Sequence, residues 1–564
     1  MLKFGSSVLV AEADYAAVAL EIYRHVRNGE KVIAVVSALA GETDALLGQG
    51  ARAGGDHPAL LARVARVGEL HSAALMALAL VRMGMAATTM DPHEMGLMAE
   101  GEPLDANLIR LDVAAVQARL ASHDIVVVPG FTAGHADHGV VTLGRGGTDL
   151  SAVFFADRLD AHRVRLIKDV DGVYAEDPAK NPLAERFAEM GYAEAAAASA
   201  GLIQPKAILA AERAGVLIEV AAMGAGEATT IADHPARMAA PARLRRLRVT
   251  LLGCGTVGAG VLGLLEERPD LFEVNPVLVR RPAGRGARFT SDPAVAFAAT
   301  PDLVIEVIGG ADSSVDLLHA ALRGGASVVT ANKAMVAKHW DALQASAAAG
   351  GASLLFSAAV GGGVPVLEAV ARVRAGDGIV SVEGVMNGTV NFLLGRLEQG
   401  CDFDEAVREA QLAGFAEADP SGDIDGHDAA QKLSLLVRAA FGAGVAPEAI
   451  AKESLRGVSA EAAQAALARG EVLKQVGRCS IGADGEVITA VCIESLAASH
   501  PLAGARAEEN CFVVTDGAGE THFLQGKGAG RWPTAAAVFA DIMDLQRAAM
   551  GAGAEPAVPL RLSA

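Results

Sequence analysis

Residues 248–260 read RVTLLGCGTVGAG. An apolar run stops at Gly253, and Gly253, Gly255 and Gly258 then stand in GxGxxG spacing before a helix-compatible stretch. Such glycines allow a tight turn and a close backbone approach to a pyrophosphate, and Thr256 and Val257 open the helix whose first N–H groups would face it. The next strand, VLVRR over 277–281, ends on Arg280 and Arg281 instead of a carboxylate. Positive charge there suits a ribose 2′-phosphate and favours NADP over NAD; the bland alternative is a solvated arginine pair. DLVIEVIGG (302–310) and SVVTANK (327–333) follow as strands ending in polar or Gly residues. Ligands of doubly wound sheets sit at those carboxyl ends, which puts Asn332 and Lys333 at a binding edge.

The same alternation occurs upstream. VIAVVSAL (32–39), DIVVVPGF (124–131) and VRLIKDV (164–170) read as buried parallel strands, and the stretch around 57–83 has helical spacing. Between the two regions lies the basic stretch ARMAAPARLRRL, read as a linker over 236–247. From about 379 the pattern changes to a strand, a run of helices through 442, and strands around 487–494 and 511–514. The expected organisation is an α/β first domain over 1–235, the linker, a nucleotide-binding domain over 248–378, a mixed α/β substrate domain over 379–530, and a segment over 531–564 returning to the nucleotide-binding domain.

A chain of 564 residues is too long for one core. Hydrophobic residues at 52% and charged residues at 20% describe a globular protein. The net charge of −19 disfavours nucleic acid, so the anticipated partners are small molecules. The five cysteines show no CxxC pair, which suits a reducing cytoplasm. No run of about 18 apolar residues predicts a membrane span, and Glu12 and Asp14 interrupt any leader core.

Chemistry-bearing residues cluster at 417–433, EADPSGDIDGHDAAQKL. Asp428 and Lys432 are four apart at a helix start and share a face. Such a pair can bind a polar substrate and move a proton, although an acidic loop with an i,i+4 ion pair is equally a solvated face. GCGTVGAG (253–260), TANK (330–333), AAVGGGVPVLEA (358–369), GVMNGTVNFLL (384–394), EADPSGDIDGHDAAQKL and GKGAGRWPTA (526–535) together resemble homoserine dehydrogenase. The resemblance implies a Rossmann NAD(P)-binding domain and a mixed α/β substrate domain that interconvert aspartate 4-semialdehyde and homoserine. It implies that Glu417, Asp423 and Asp428 hold substrate, that Lys432 gives or takes the hydroxyl proton, and that Lys333 sits beside substrate and cofactor. Gly528 would close over the cofactor. Carbonyls of Val360, Gly362 and Val364 would hold a monovalent cation, usually sodium, although Ser357 stands where the family commonly has Glu. A homo-oligomer, a dimer through the dehydrogenase domain, is implied as well.

The N-terminus reads Lys3-Phe4-Gly5-Ser6-Ser7, a Lys and a Gly-containing loop at the end of a strand. A transferred phosphoryl group needs charge and donors without bulk. With TLGRGGTD (142–149) and KDVDGVYAEDP (168–178), this region resembles aspartokinase of the amino-acid kinase fold. The resemblance implies ATP with Mg as co-substrate and L-aspartate as acceptor. Lys3 and Gly5 would contact the transferred phosphate, Thr43, Glu69 and Arg145 the aspartate, and Asp169 and Tyr174 the nucleotide. The chain departs from the family by one missing Gly after Gly5, by Ala179 after the Asp-Pro pair, and by Gly201 in place of a nucleotide-site Lys, with Lys180 and Lys206 as possible substitutes. A homoserine dehydrogenase whose kinase-like half only binds or oligomerises is the alternative. The 236–247 stretch cannot hold an ACT-type regulatory domain, which needs at least ~50 residues, so no threonine or lysine feedback through such a module is expected.

Overall fold

Strands buried on both faces need no alternation, and the first half of the chain is built on them. Val32–Val36, Ile125–Pro129 and Val164–Lys168 are buried throughout. The computed structural model describes residues 1–549 except 56, 182, 200, 241–244 and 483. It divides into two units, Met1–Arg243 and Leu244–Ala564.

In the first unit nine strands form one sheet, with Leu2–Phe4 between Val32–Val36 and Val164–Lys168, both parallel to it. Two charged residues interrupt the apolar character of these central strands on the same face, Lys3 and Lys168. The helix Gly147–Arg158 covers that face, and Gly146, at φ 78°, provides the left-handed turn that starts it. The helix Pro58–Arg82 is long and apolar enough to cross a membrane by length and composition. Its Ala62, Ala65, Ala73, Met76 and Leu80 are buried in the unit's interior. A separate four-stranded sheet, Met98–Glu102, Asp105–Arg110, Thr132–His135 and Gly139–Thr142, escaped the sequence reading because its strands are short and half-exposed.

In the second unit Leu247–Leu252 pairs in parallel with Leu303–Glu306, which pairs with Ser327–Thr330. The strand expected over 277–281 is shorter. Only Val277–Leu278 is paired, and Arg280 and Arg281 are exposed just beyond it. An antiparallel sheet follows, in which Ile379–Val385 lies between Glu471–Ile481 and Glu509–Asp516. The two sheets, expected as separate domains, share a core in which Val336 and Trp340 pack with Val382, Leu433 and Phe512. The helix Arg531–Ala549 returns to the nucleotide half, where a Cβ on Gly260 would lie 3.0 Å from Ala535 Cβ. Residues 550–564 of the expected C-terminal segment lie outside the described residues.

The linker expected over 236–247 is in fact partly structured. Arg237–Met238 pairs antiparallel with Phe187–Met190 in the first sheet, and Leu247 already belongs to the second. Backbone pairing outweighs the basic composition at both ends. Residues 241–244 of the linker lie outside the described residues.

Candidate functional site

The glycine loop meets the requirements of a dinucleotide cradle. Gly253 has φ 99°, and a Cβ there would lie 2.8 Å from the Val307 carbonyl. A Cβ on Gly258 would overlap the Gly253 carbonyl, whereas nothing stands within 4 Å in front of Gly255. Gly255 caps the helix Thr256–Glu266 with no side chain, so the first-turn N–H groups at Thr256 and Val257 stay open to an anion. Arg285, missed in the sequence, donates from Nη1 to the Cys254 carbonyl at 3.1 Å and lies over Phe289. These residues fit a dinucleotide's pyrophosphate.

Beside the loop, the buried Glu306 ends its strand. It accepts hydrogen bonds from Thr330 Oγ1 at 2.6 Å and from the Ile308 N–H at 2.9 Å. Asn332 donates to the Gly310 carbonyl at 2.9 Å and caps the helix Lys333–Gly350 through Met335 N–H. Lys333 therefore starts a helix whose entry is held by the neighbouring strand.

Its partner is Asp428. The helix His427–Phe441 begins after Gly426, at φ 76°, and buries Ala429, Leu433, Leu436 and Val437. Asp428 in its first turn and Lys432 one turn later pair at 2.8 Å, and Lys333 Nζ reaches the other Asp428 oxygen at 3.1 Å. Lys432 also donates to the Met386 carbonyl at 2.6 Å. Burial pushes the Asp428 carboxyl up, but the charges of Lys432 and Lys333 outweigh it and hold it well below the usual range. The Asp428 charge raises the Lys333 pKa, and Asp423 and Glu417 add to it although Glu417 is exposed.

Asn387 joins the acids. It caps the helix Gly388–Glu398 through Oδ1, and its Nδ2 donates to Asp423 at 2.8 Å and to Asp428 at 3.0 Å. The sequence motif GVMNGTVNFLL contains Asn387 but assigns it no role; the signal for it is an Asn at a strand-to-helix junction.

Val360 ends the short helix Ser357–Val360, and Gly362 has φ 64° with no room for a Cβ against the Gly528 backbone. Gly363 N–H donates to the Lys527 carbonyl at 3.0 Å, while the Val364 carbonyl accepts from Val366 N–H. The Gly528 segment therefore lies on the loop whose carbonyls were expected to hold a cation. Ser357 Oγ donates to the buried Asp541 at 2.8 Å, which brings a carboxylate next to the position where the loop itself lacks one.

In the first unit Lys3 Nζ meets Asp149 Oδ1 at 2.6 Å, and Lys168 Nζ meets Asp149 Oδ2 at 3.1 Å. Gly5 is buried, and a Cβ on it would overlap Lys3 Nζ. Asp149 and Lys168 lie within the motifs TLGRGGTD and KDVDGVYAEDP, which by themselves give them no function. Burial favours a neutral Asp149, but the Lys3 and Lys168 charges win and lower its pKa. Glu69 is buried, and that burial pushes it up to about 8. Thr43 is half-buried near the start of the helix Glu42–Arg52, and Arg145 is exposed on the Gly loop. Asp169 is exposed, and Tyr174 donates to Asp171 at 2.6 Å. Gly201 has φ 87°, a conformation that strains a lysine. Lys206 Nζ is bound to Asp105 at 3.0 Å and to the Leu143 carbonyl, beside the Gly loop, whereas Lys180 is 85% exposed.

A parallel dinucleotide cradle with a lysine–carboxylate cluster beside it defines a nicotinamide-dependent oxidoreductase, here preceded by a kinase-type α/β unit. Known proteins carry the same two parts. Residues 253–357 match the family "Homoserine dehydrogenase, NAD binding domain", 365–543 match "Homoserine dehydrogenase", and 1–221 match the "Amino acid kinase family". The chain is 37% identical over 328 residues to the homoserine dehydrogenase of Corynebacterium glutamicum, covering 55% of this chain and 74% of that protein. It is 35% identical to the one from Synechocystis, covering 56% and 77%. The crystal structure of a homoserine dehydrogenase from Thiobacillus denitrificans superposes with a TM-score of 0.52 at 32% identity, over 56% of this chain and 76% of that one. The chain belongs to the homoserine dehydrogenase family and carries an amino-acid kinase unit ahead of it.

Proposed function

We propose that the second unit interconverts aspartate 4-semialdehyde and L-homoserine, and that the first transfers phosphate from ATP, accompanied by Mg, to the side-chain carboxylate of L-aspartate. The observation that carries the dehydrogenase reading is the Lys333–Asp428–Lys432 cluster beside the dinucleotide cradle. A bound NADPH or NADH supplies the hydride equivalent for the carbonyl carbon. The carbonyl oxygen becomes an alkoxide, and Lys432 gives it a proton. In the reverse direction Lys432 takes the hydroxyl proton. Asp428 keeps both lysines in place, and Asn387 fixes Asp428 against Asp423. Asp423 and Glu417 provide negative charge for the substrate's amino group. Arg280, Arg281 and Arg285 support a preference for NADP through the 2′-phosphate.

In the kinase unit, Lys3 would neutralise the phosphoryl group in transit, with Arg145, Thr43 and Glu69 on aspartate and Asp169 and Tyr174 toward the nucleotide. Carbonyls of Val360, Gly362 and Val364 would hold a monovalent cation, with Asp541 near Ser357 supplying the acid missing from the loop. A homodimer through the dehydrogenase half and a cytoplasmic location complete the reading; five free cysteines suit a reducing compartment.

Both activities are to be assayed on one purified full chain. Homoserine-dependent reduction of NADP and hydroxamate-trapped aspartyl phosphate from MgATP and aspartate are the expected results. Failure of the first overturns the dehydrogenase reading, and failure of the second overturns the aspartate kinase reading.

A further inference from the structure

The Lys3–Asp149–Lys168 cluster carries more positive charge than its surroundings cancel. All three residues are less than a tenth exposed, and two ammonium groups share one carboxylate. Glu69, whose carboxyl feels the charge of Lys3, is pushed up to about 8 by its own burial, so it offsets little of that charge. Burial, followed by the like charge of Lys3, also lowers the Lys168 pKa to about 8. Buried charge without a counter-ion is costly, and a fold needing only a packed ion pair would carry one lysine.

The surplus sits where an anion can use it. Parallel pairing sets Lys3 opposite Leu166, so Lys168, two residues along, presents to the same face. The missing Cβ of Gly5 leaves the space that Lys3 Nζ occupies. Asp149 lies in the first turn of the helix Gly147–Arg158, capped only by Gly146, which bears no side chain to compete for the helix's first N–H groups.

We propose that Lys168 is a second catalytic cation of the kinase unit, binding with Lys3 the equatorial oxygens of the phosphoryl group in transit while Asp149 sets the spacing of the two ammonium groups. This rests on the phosphoryl-transfer reading above. The bond from the γ-phosphorus to the bridging oxygen breaks, and its electron pair stays on the β-phosphate of ADP. A carboxylate oxygen of the acceptor forms the new P–O bond. No proton moves, and Lys168 remains an ammonium throughout. Gly201 offers no charge, Lys206 is held by Asp105 and the Leu143 carbonyl, and Lys180 is exposed on Asp177. Lys168 is the lysine that the sheet delivers beside Lys3.

The test uses the full chain with Lys168→Met and Lys168→Arg. The Met variant is expected to lose about 100-fold or more of aspartate kinase turnover and to bind MgADP within about threefold of wild type. The affinity for MgADP with aluminium fluoride, a planar phosphoryl mimic, should fall by a similar factor of about 100. Homoserine oxidation should be unchanged. The Arg variant should recover at least about tenfold over Met, and it decides the matter if Met also loses MgADP. Retention by Lys168→Met of wild-type turnover or mimic affinity, or an Arg variant no better than Met, overturns the role of Lys168. Mimic binding that depends on Lys168, in a wild-type chain that does not phosphorylate aspartate, supports Lys168 and overturns only the aspartate reading. A wild-type chain that neither turns over nor binds the mimic overturns both.

Discussion

The two halves of this chain each grip a largely buried aspartate between two lysines. In the dehydrogenase half Asp428 holds Lys432 at 2.8 Å and Lys333 at 3.1 Å. In the kinase half Asp149 holds Lys3 at 2.6 Å and Lys168 at 3.1 Å. The local geometry is nearly the same, but the neighbours differ. Asp423 and Glu417 add negative charge around Lys333, and Asn387 ties Asp428 to Asp423. Glu69, whose carboxyl feels the charge of Lys3, is raised to about 8 by burial. The first cluster is therefore acidic on balance and suits a substrate that carries an ammonium group. The second is basic on balance and suits phosphate. On the proposed roles, charge outside the triad, more than the triad itself, separates a proton-transfer site from a phosphoryl-transfer site.

The strongest way to break this comparison is to remove Lys432, the proposed proton donor. Lys432→Ala should lower kcat for homoserine oxidation by roughly 10²–10⁴-fold, with dinucleotide affinity preserved in a fluorescence titration; unchanged turnover would remove Lys432 from the mechanism. Asp428→Ala leaves two lysines without their shared partner and should cost the second unit about 3 kcal/mol of stability, read by denaturant unfolding. The kinase half should respond to alkali in the opposite sense from an acid-dependent site. Lys168 is charged below about 8 and neutral above it, so kinase kcat/KM should fall by up to about tenfold per pH unit above that value. Lys168→Arg should move this limb upward, and a flat profile to pH 9.5 would contradict the assignment. The smallest effect is expected at the cofactor. Replacing Arg280 and Arg281 with Ser should shift the NADP-to-NAD ratio of kcat/KM by about tenfold toward NAD; their exposure keeps the contribution modest.

Much of this was visible in the residues. The strand–glycine–helix order at 248–260 and the i,i+4 spacing of Asp428 and Lys432 are short-range patterns, and they appear in three dimensions as the spacing requires. Asp149 and Lys168 were harder to read. They lie 19 residues apart on a helix and a strand and meet only in the folded sheet, so no local spacing announces them. The strand Glu471–Ile481 was missed for another reason. Its Glu471, Lys474, Gln475 and Arg478 break the apolar alternation, and cross-strand partners such as Glu494 for Arg478 restore its fit. Arg285 lies in a Gly-rich stretch whose path to the Cys254 carbonyl no periodicity encodes.

The close approach of Gly260 and Ala535 has a consequence for synthesis. The first helix of the nucleotide half rests on a helix made nearly three hundred residues later, Arg531–Ala549. The first unit is contiguous over Met1–Arg243 and can fold as soon as it leaves the ribosome. The dinucleotide cradle must wait for the other end of its own unit. In the cell the kinase half thus matures during translation and the dehydrogenase half only near its close, so a stalled or nicked chain would keep the first activity and lose the second.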